Sequence, residues 1–288
     1  MKKNIWFVLI AFSLSIFVTA PSHAADCNSL KKAVKAERNL KKKRKLLSNL
    51  IIQCPEDPQV NYKYALSLER FRKYDKALAH YQKAVNLDPQ MGKAYAGMGD
   101  IYIYRGLLDD AIIAYDNAKR LMPQSERTSS RLARLEIKRK ALAGGIVSAG
   151  EFVKVMDHRG KISSTIAVLL TGPVLQYNIA FMKNTNQLLP TGIRQLAAVG
   201  QGMQDDALKS VRFEIATYVD SVYPTPLAAL AASEKRVAMI KDQLVTNFLI
   251  DPKRIETVWY GDNQALEISS SAGTQTLNSR VEFKRLSD

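Results

Sequence analysis

The chain has 288 residues and carries 42 Lys and Arg against 27 Asp and Glu, a formal net charge of +15. Its two cysteines and three histidines fall in no metal-ligand spacing. Gly160-Lys161 lacks the earlier glycine of a phosphate-binding loop, and Ser148 lacks the leading glycine of a serine-hydrolase elbow. These absences set aside the common catalytic classes, so the chain is expected to bind rather than to react, with no cofactor.

Lys2 and Lys3 precede an apolar run from Ile5 to Val18, and Ser22-His23-Ala24 follows with small residues at the two positions that signal peptidase reads. The run is shorter than the roughly 20 residues that cross a bilayer. Residues 1–24 are therefore expected to be a cleaved signal peptide, with the mature chain starting at Ala25 and carrying a net charge of +13. Cys27 lacks the leucine-led box of a lipoprotein, and no later stretch is long and apolar enough to span a membrane. The expected compartment is the periplasm. In that oxidising space Cys27 and Cys54, which flank a predicted helical hairpin, either close one bridge or remain two buried thiols.

Pro55, Pro89 and Pro123 recur every 34 residues, as do Ala77 with Ala111, Tyr81 with Tyr115, and Ala84 with Ala118. The small residues recur where paired helices cross closely. This period and composition resemble tetratricopeptide (TPR) repeats. Full units cover 58–91 and 92–125, the segment 28–53 resembles a degenerate first unit, and Glu126–Leu142 is predicted to be a capping helix. About two and a half to three units then stack over residues 25–142, near the minimum for such an array. The resemblance implies an α-helical solenoid that holds an unidentified protein partner. Tyr62, Tyr95 and Tyr102 are expected to pack between helices.

Much of the charge lies in this half, in Lys41-Lys42-Lys43-Arg44-Lys45 and in the series Arg127, Arg131, Arg134, Lys138, Arg139 and Lys140. An exported chain meets anionic lipid, wall polymers and acidic proteins rather than nucleic acid, so these runs read most plainly as solvated helix faces, the alternative being a weak contribution to peripheral envelope association, and nucleic-acid binding is not expected. Residues 143–170 then change composition. They read either as an extended linker or as a small hairpin pairing Val153–Met156 with Thr165–Leu170. His158 and His80 make no ligand set.

From 171 to 288 strand and helix patterns alternate. Leu175–Phe181 is predicted as a strand, Pro190–Met203 as a helix, Val211–Val219 as a strand and Leu227–Phe248 as a long helix. Ile255–Tyr260 and Leu277–Lys284 complete the order β-α-β-α-β-β, an α+β domain with helices over one face of a small mixed sheet. Asp220, Arg236, Tyr260-Gly261-Asp262 and Asn278-Ser279-Arg280-Val281-Glu282 punctuate this order. The order and these residues resemble the OmpA-like peptidoglycan-binding domain. In that family an Asp ends the second strand and an Arg follows on the next helix, roles that fall here to Asp220 and Arg236. The family's Gly-His-Thr and midway Asn are replaced by Thr217-Tyr218-Val219 and Ala229.

The resemblance implies that Asp220 receives the ammonium and Arg236 the carboxylate of diaminopimelate in the peptidoglycan stem, with Arg280 and Asn278 as further contacts. Arginine suits that role because its planar fork donates two parallel hydrogen bonds to a carboxylate. The alternative at Arg280 is a local pair with Glu282 or Asp262. The expected protein is a periplasmic envelope adaptor without catalysis. A second expectation is an assembly or secretion-system scaffold whose α+β domain binds protein.

Overall fold

The computed structural model describes residues 23–157, 172–177, 179, 181–182, 185–219, 223–263, 266–270, 273–277 and 279–286, with side chains from 27 onward outside 264–278. Residues 1–22 of the expected leader, the predicted strand Thr165–Leu170, and the site candidates Asp220 and Asn278 lie outside the described residues. The chain divides into two compact units, up to Pro55 and from Glu56 onward.

The first unit is the hairpin of α1 (His23–Ala36) and α2 (Leu40–Gln53). Asn39 opens α2, its side-chain oxygen accepting from the backbone N–H groups of Lys41 and Lys42, which would otherwise have no partner in the first turn. Leu47 and Leu50 bury the inner face of α2. Cys27 and Cys54 are joined in a disulfide with their Cα atoms 6.1 Å apart, so the bridge, not the pair of buried thiols, is what forms.

In the second unit the 34-residue period is visible in the backbone. Helices α3 (Pro58–Arg70), α5 (Gly92–Arg105) and α7 (Glu126–Leu142) begin 34 residues apart, and so do α4 (Tyr74–Leu87) and α6 (Leu108–Leu121). This half is a TPR-like helical repeat. Its small residues sit where rings press against backbone: a Cβ at Gly97 would lie 2.4 Å from Tyr81 Cζ, and one at Gly99 2.7 Å from Tyr115 Cε2. Each ring also satisfies its hydroxyl, Tyr81 donating to Glu69 at 2.6 Å and Tyr115 to Asp100 at 2.8 Å. Tyr62, Tyr95 and Tyr102 pack against the same core, as their helical spacing predicts.

Val153–Met156 is not a strand. It is the end of helix α8 (Ala149–Met156), which opens on a capping box between Ser148 and Glu151. The alternating valines suggest a strand, but the buried side chains are Phe152, Val155 and Met156, three and four residues apart as a helix requires. They enter the core of the α/β part. Residues 143–148 and α8 thus continue directly from α7, whose Ile137 and Ala141 share that core.

The remaining elements are β1 (Val174–Tyr177), α9 (Pro190–Met203), β2 (Phe213–Tyr218), α10 (Pro226–Phe248), β3 (Ile255–Trp259), β4 (Leu266–Ser270), β5 (Gly273–Leu277) and β6 (Arg280–Arg285). The main sheet runs β1-β6-β2-β3, with β2 and β3 parallel and the other pairs antiparallel. The predicted last strand is corrected in one respect. Leu277 belongs to a separate two-stranded hairpin, β4-β5, inserted before β6. The first predicted strand is also shorter, with Phe181 held only in an isolated bridge to Leu188. Leu175, Phe213, Ile215 and Phe283 point from one face of the sheet into a core completed by Val199, Ile240 and Leu244 of the helices.

Candidate functional site

The parallel strands β2 and β3 end beside α10, and three hydrogen bonds hold that corner together. Thr217 Oγ1 donates to the Ser233 carbonyl at 2.7 Å, the Gly261 N–H donates to Ser233 Oγ at 2.9 Å, and the Val219 N–H donates to the Gly261 carbonyl at 2.8 Å. Gly261 has φ +62° and its place for a Cβ lies 3.0 Å from the Leu230 nitrogen, so glycine is required both by the turn and by the close approach. The clamp on Ser233 fixes the helix one turn before Arg236.

Arg236 is only 8 % exposed. Its guanidinium stands over the Phe181 ring, 4.4 Å from the centroid, and Nη1 reaches Ser279 Oγ at 3.4 Å. Its Nε has no hydrogen-bond partner, and among the described residues no carboxylate pairs with it. Among the described residues this buried cation has given up water without receiving an anion, a state that is costly unless an anion is supplied from elsewhere.

Arg280 lies on β6, next to Ser279, and is 5 % exposed. It is neutralised: Nε donates to Glu282 Oε1 at 2.8 Å, and the guanidinium stacks on Tyr218, 3.5 Å from the ring centroid. Tyr218 in turn stacks on Tyr260, with centroids 4.8 Å apart. Burial, then the Glu282 charge, raise the Tyr218 hydroxyl pKa against the opposing effect of Arg280. Gln176 also donates to Glu282, at 3.3 Å. Lys284 would be lowered by burial, but its hydrogen bond to Glu214 and the Glu282 charge leave it raised. Arg236 and Arg280 therefore approach one corner through Ser279 in different electrostatic states. Sequence spacing places Ser233 one turn from Arg236 on the same helix, but it does not single out Phe181 or Ser279, which come from parts of the chain far from α10.

A second set of charges lines the helical half. Asp100 on α5 holds Arg131 of α7 in an ion pair, and Arg127 lies 3.8 Å from the same carboxylate. Arg134 donates to Ser130 Oγ, but its buried Nε has no partner. One turn on, Lys138 is 3 % exposed and donates to the Gly172 carbonyl at 2.9 Å. Burial first, then the neighbouring Arg134, bring its pKa down to about 7, with Glu282 opposing them. Among the described residues no group of three or more His, Cys, Asp or Glu is placed to hold a metal ion.

No family model matches the chain, and no curated protein does. Among solved structures it is similar to the first TPR of Spaghetti (RPAP3) bound to an HSP90 peptide, with 19 % identity and a TM-score of 0.32 over 40 % of this chain and 87 % of that one. It is also similar to a Thermobaculum terrenum O-GlcNAc transferase mutant, with 17 % identity and a TM-score of 0.40 over 48 % of this chain and 26 % of that one. For Naa15/Naa10 bound to HypK-THB the values are 18 % and 0.36, over 81 % of this chain and 32 % of that one.

Proposed function

We propose that the protein is a periplasmic envelope adaptor, exported by a cleaved leader. Its α/β part docks on peptidoglycan, and its TPR-like half holds a protein partner. The single observation that carries the wall reading is Arg236: a buried guanidinium with an unpaired Nε and no acidic neighbour among the described residues. A carboxylate is the ligand that completes it. The stem carboxylate of diaminopimelate meets this need, and Asp220 is the proposed acceptor for its ammonium. The sheet order β1-β6-β2-β3 with a parallel β2-β3 pair supports the OmpA-like resemblance. Docking of this kind is individually weak, so repeated ligands on the wall supply retention through effective concentration. No reaction is part of this reading.

A second reading, an assembly scaffold whose α/β part binds protein, draws support from Arg280, whose charge is already committed to Glu282. Co-sedimentation of residues 25–288 with diaminopimelate-type sacculi separates the two. The parent chain is expected to pellet. Arg236→Ala is expected to pellet roughly tenfold or more weakly, the scale of a lost charge-assisted hydrogen bond to a carboxylate, while keeping the parent's circular dichroism. A parent chain that stays in solution overturns the wall reading.

A further inference from the structure

We propose that the disulfide-stapled N-terminal hairpin is a binding surface for anionic lipid bilayers, separate from the wall site. Between residues 25 and 55 nine Lys and Arg stand against Asp26 and Glu37 alone. Six of the nine, Lys32, Lys35, Arg38, Lys41, Lys42 and Lys45, are exposed. None of these six makes an ion pair among the described residues. A folded surface that keeps so many cations without counter-charges repels itself, and an external anion relieves that repulsion.

The arrangement on α2 selects the class of anion. At 100° per residue Lys41, Lys45 and Ile52 fall within about 40° of one another on the outer face. Ile52 is 73 % exposed, on the side away from the buried Leu47 and Leu50. Beside it lies a surface groove of about 600 Å³ lined by Lys42, Lys45, Leu46, Asn49 and Ile52, with Glu37 as its one acid. A large aliphatic side chain held in water on the same helix face as Lys41 and Lys45, two turns beyond Lys45, gains little from an acidic polysaccharide. At a lipid surface it enters the boundary with the acyl chains, while the lysine stems extend their charges toward the phosphates. The bridge between Cys27 and Cys54 keeps α1 and α2 together as one rigid module, so their cations act together.

The test is flotation of residues 25–288 with vesicles of phosphatidylglycerol and phosphatidylcholine, or of phosphatidylcholine alone, at low and high salt. The protein is expected to float with the anionic vesicles only, and to be released by salt. Each cation near such a surface contributes roughly fivefold, so Lys41→Gln/Lys42→Gln/Lys45→Gln is expected to weaken binding by more than tenfold. Ile52→Ser weakens it severalfold at low salt, and Arg236→Ala leaves it unchanged, which keeps this surface distinguishable from the wall site. All substituted side chains but Arg236 are exposed, and circular dichroism with intact disulfide verifies the fold. The proposal is overturned by failure to float with anionic vesicles at low salt, or by binding that the triple variant retains. It is equally overturned if Ile52→Ser has no effect and polyaspartate or heparin competes fully, since the surface is then a general polyanion site.

Discussion

Phe152 is the sharpest probe of how α8 belongs to the fold. The ring is fully buried between Phe213 at 5.9 Å and Phe283 at 6.1 Å, centroid to centroid, and it faces Gly202 of α9. Phe152→Ala empties that space and is expected to cost about 3–5 kcal/mol. Gly202→Ala alone puts a Cβ 2.7 Å from Phe152 Cδ1 and 3.1 Å from the Ala149 carbonyl oxygen. The overpacking costs about 1–3 kcal/mol, partly offset by about 1 kcal/mol of helix propensity, so the net effect is destabilising. In the Phe152→Ala background the ring is gone and the propensity gain remains, so the same Gly202→Ala change costs less, with only the Ala149 carbonyl contact left to oppose it. The double-mutant cycle should therefore show a coupling of about 1–3 kcal/mol. Urea unfolding followed by fluorescence reads it cleanly, because Trp259 on β3 is the only tryptophan after Trp6. Additive effects, or a cost for Phe152→Ala below about 1 kcal/mol, would refute the argument and make α8 a detachable connector.

Three further outcomes are expected. Lys138, buried with its pKa brought down from 10.5 to about 7, binds its proton less well folded than unfolded, so its penalty is complete below pH 7, fades as pH rises and is gone above about 10.5. Each pH unit in that window is worth up to about 1.4 kcal/mol; stability measured at pH 7 and 9 should rise more steeply in the parent than in Lys138→Met, and parallel slopes would contradict the assignment. Reducing the Cys27–Cys54 bridge, which spans 27 residues, should loosen the N-terminal hairpin by about 3–4 kcal/mol, seen as faster proteolysis within residues 27–54 with little change at Trp259. Gly97→Ala, whose Cβ meets Tyr81 at 2.4 Å, should lower the thermal midpoint despite alanine's better helix propensity, whereas a rise would mean that Tyr81 moves aside freely.

Legibility differed from element to element for physical reasons. Pro89, Pro123, the paired Ala and Tyr positions and the helix starts at 58, 92 and 126 answer to local demands of helix ends and close crossings, and these repeat with the unit. The order of strands and helices from β1 to β3 was equally open to reading, because it follows hydrophobic period and breakers such as Asp251-Pro252, whereas the β4-β5 hairpin was not. Val153–Met156 was not, since Val-Lys-Val-Met is too short to separate the two periods; the capping box at Ser148 and the burial of Phe152 between Phe213 and Phe283 decided for a helix. Leu277 fell on the wrong strand because only a partner strand sets where pairing begins and ends.

The charged residues divide in the same way. That Arg280 has Glu282 as a local carboxylate is written in the period-two alternation of one strand, so the sequence already contained the pair. That Arg236 is buried against Phe181 and Ser279, and that Lys138 meets the Gly172 carbonyl, are facts about elements far apart in the chain. Sequence by itself determined the repeat, the order of elements from β1 to β3 and the excess of positive charge, all of which depend on neighbours within a few residues or on a fixed period. Only the tertiary structure decided which cations lost their water and which stayed solvated, because burial depends on what packs from elsewhere.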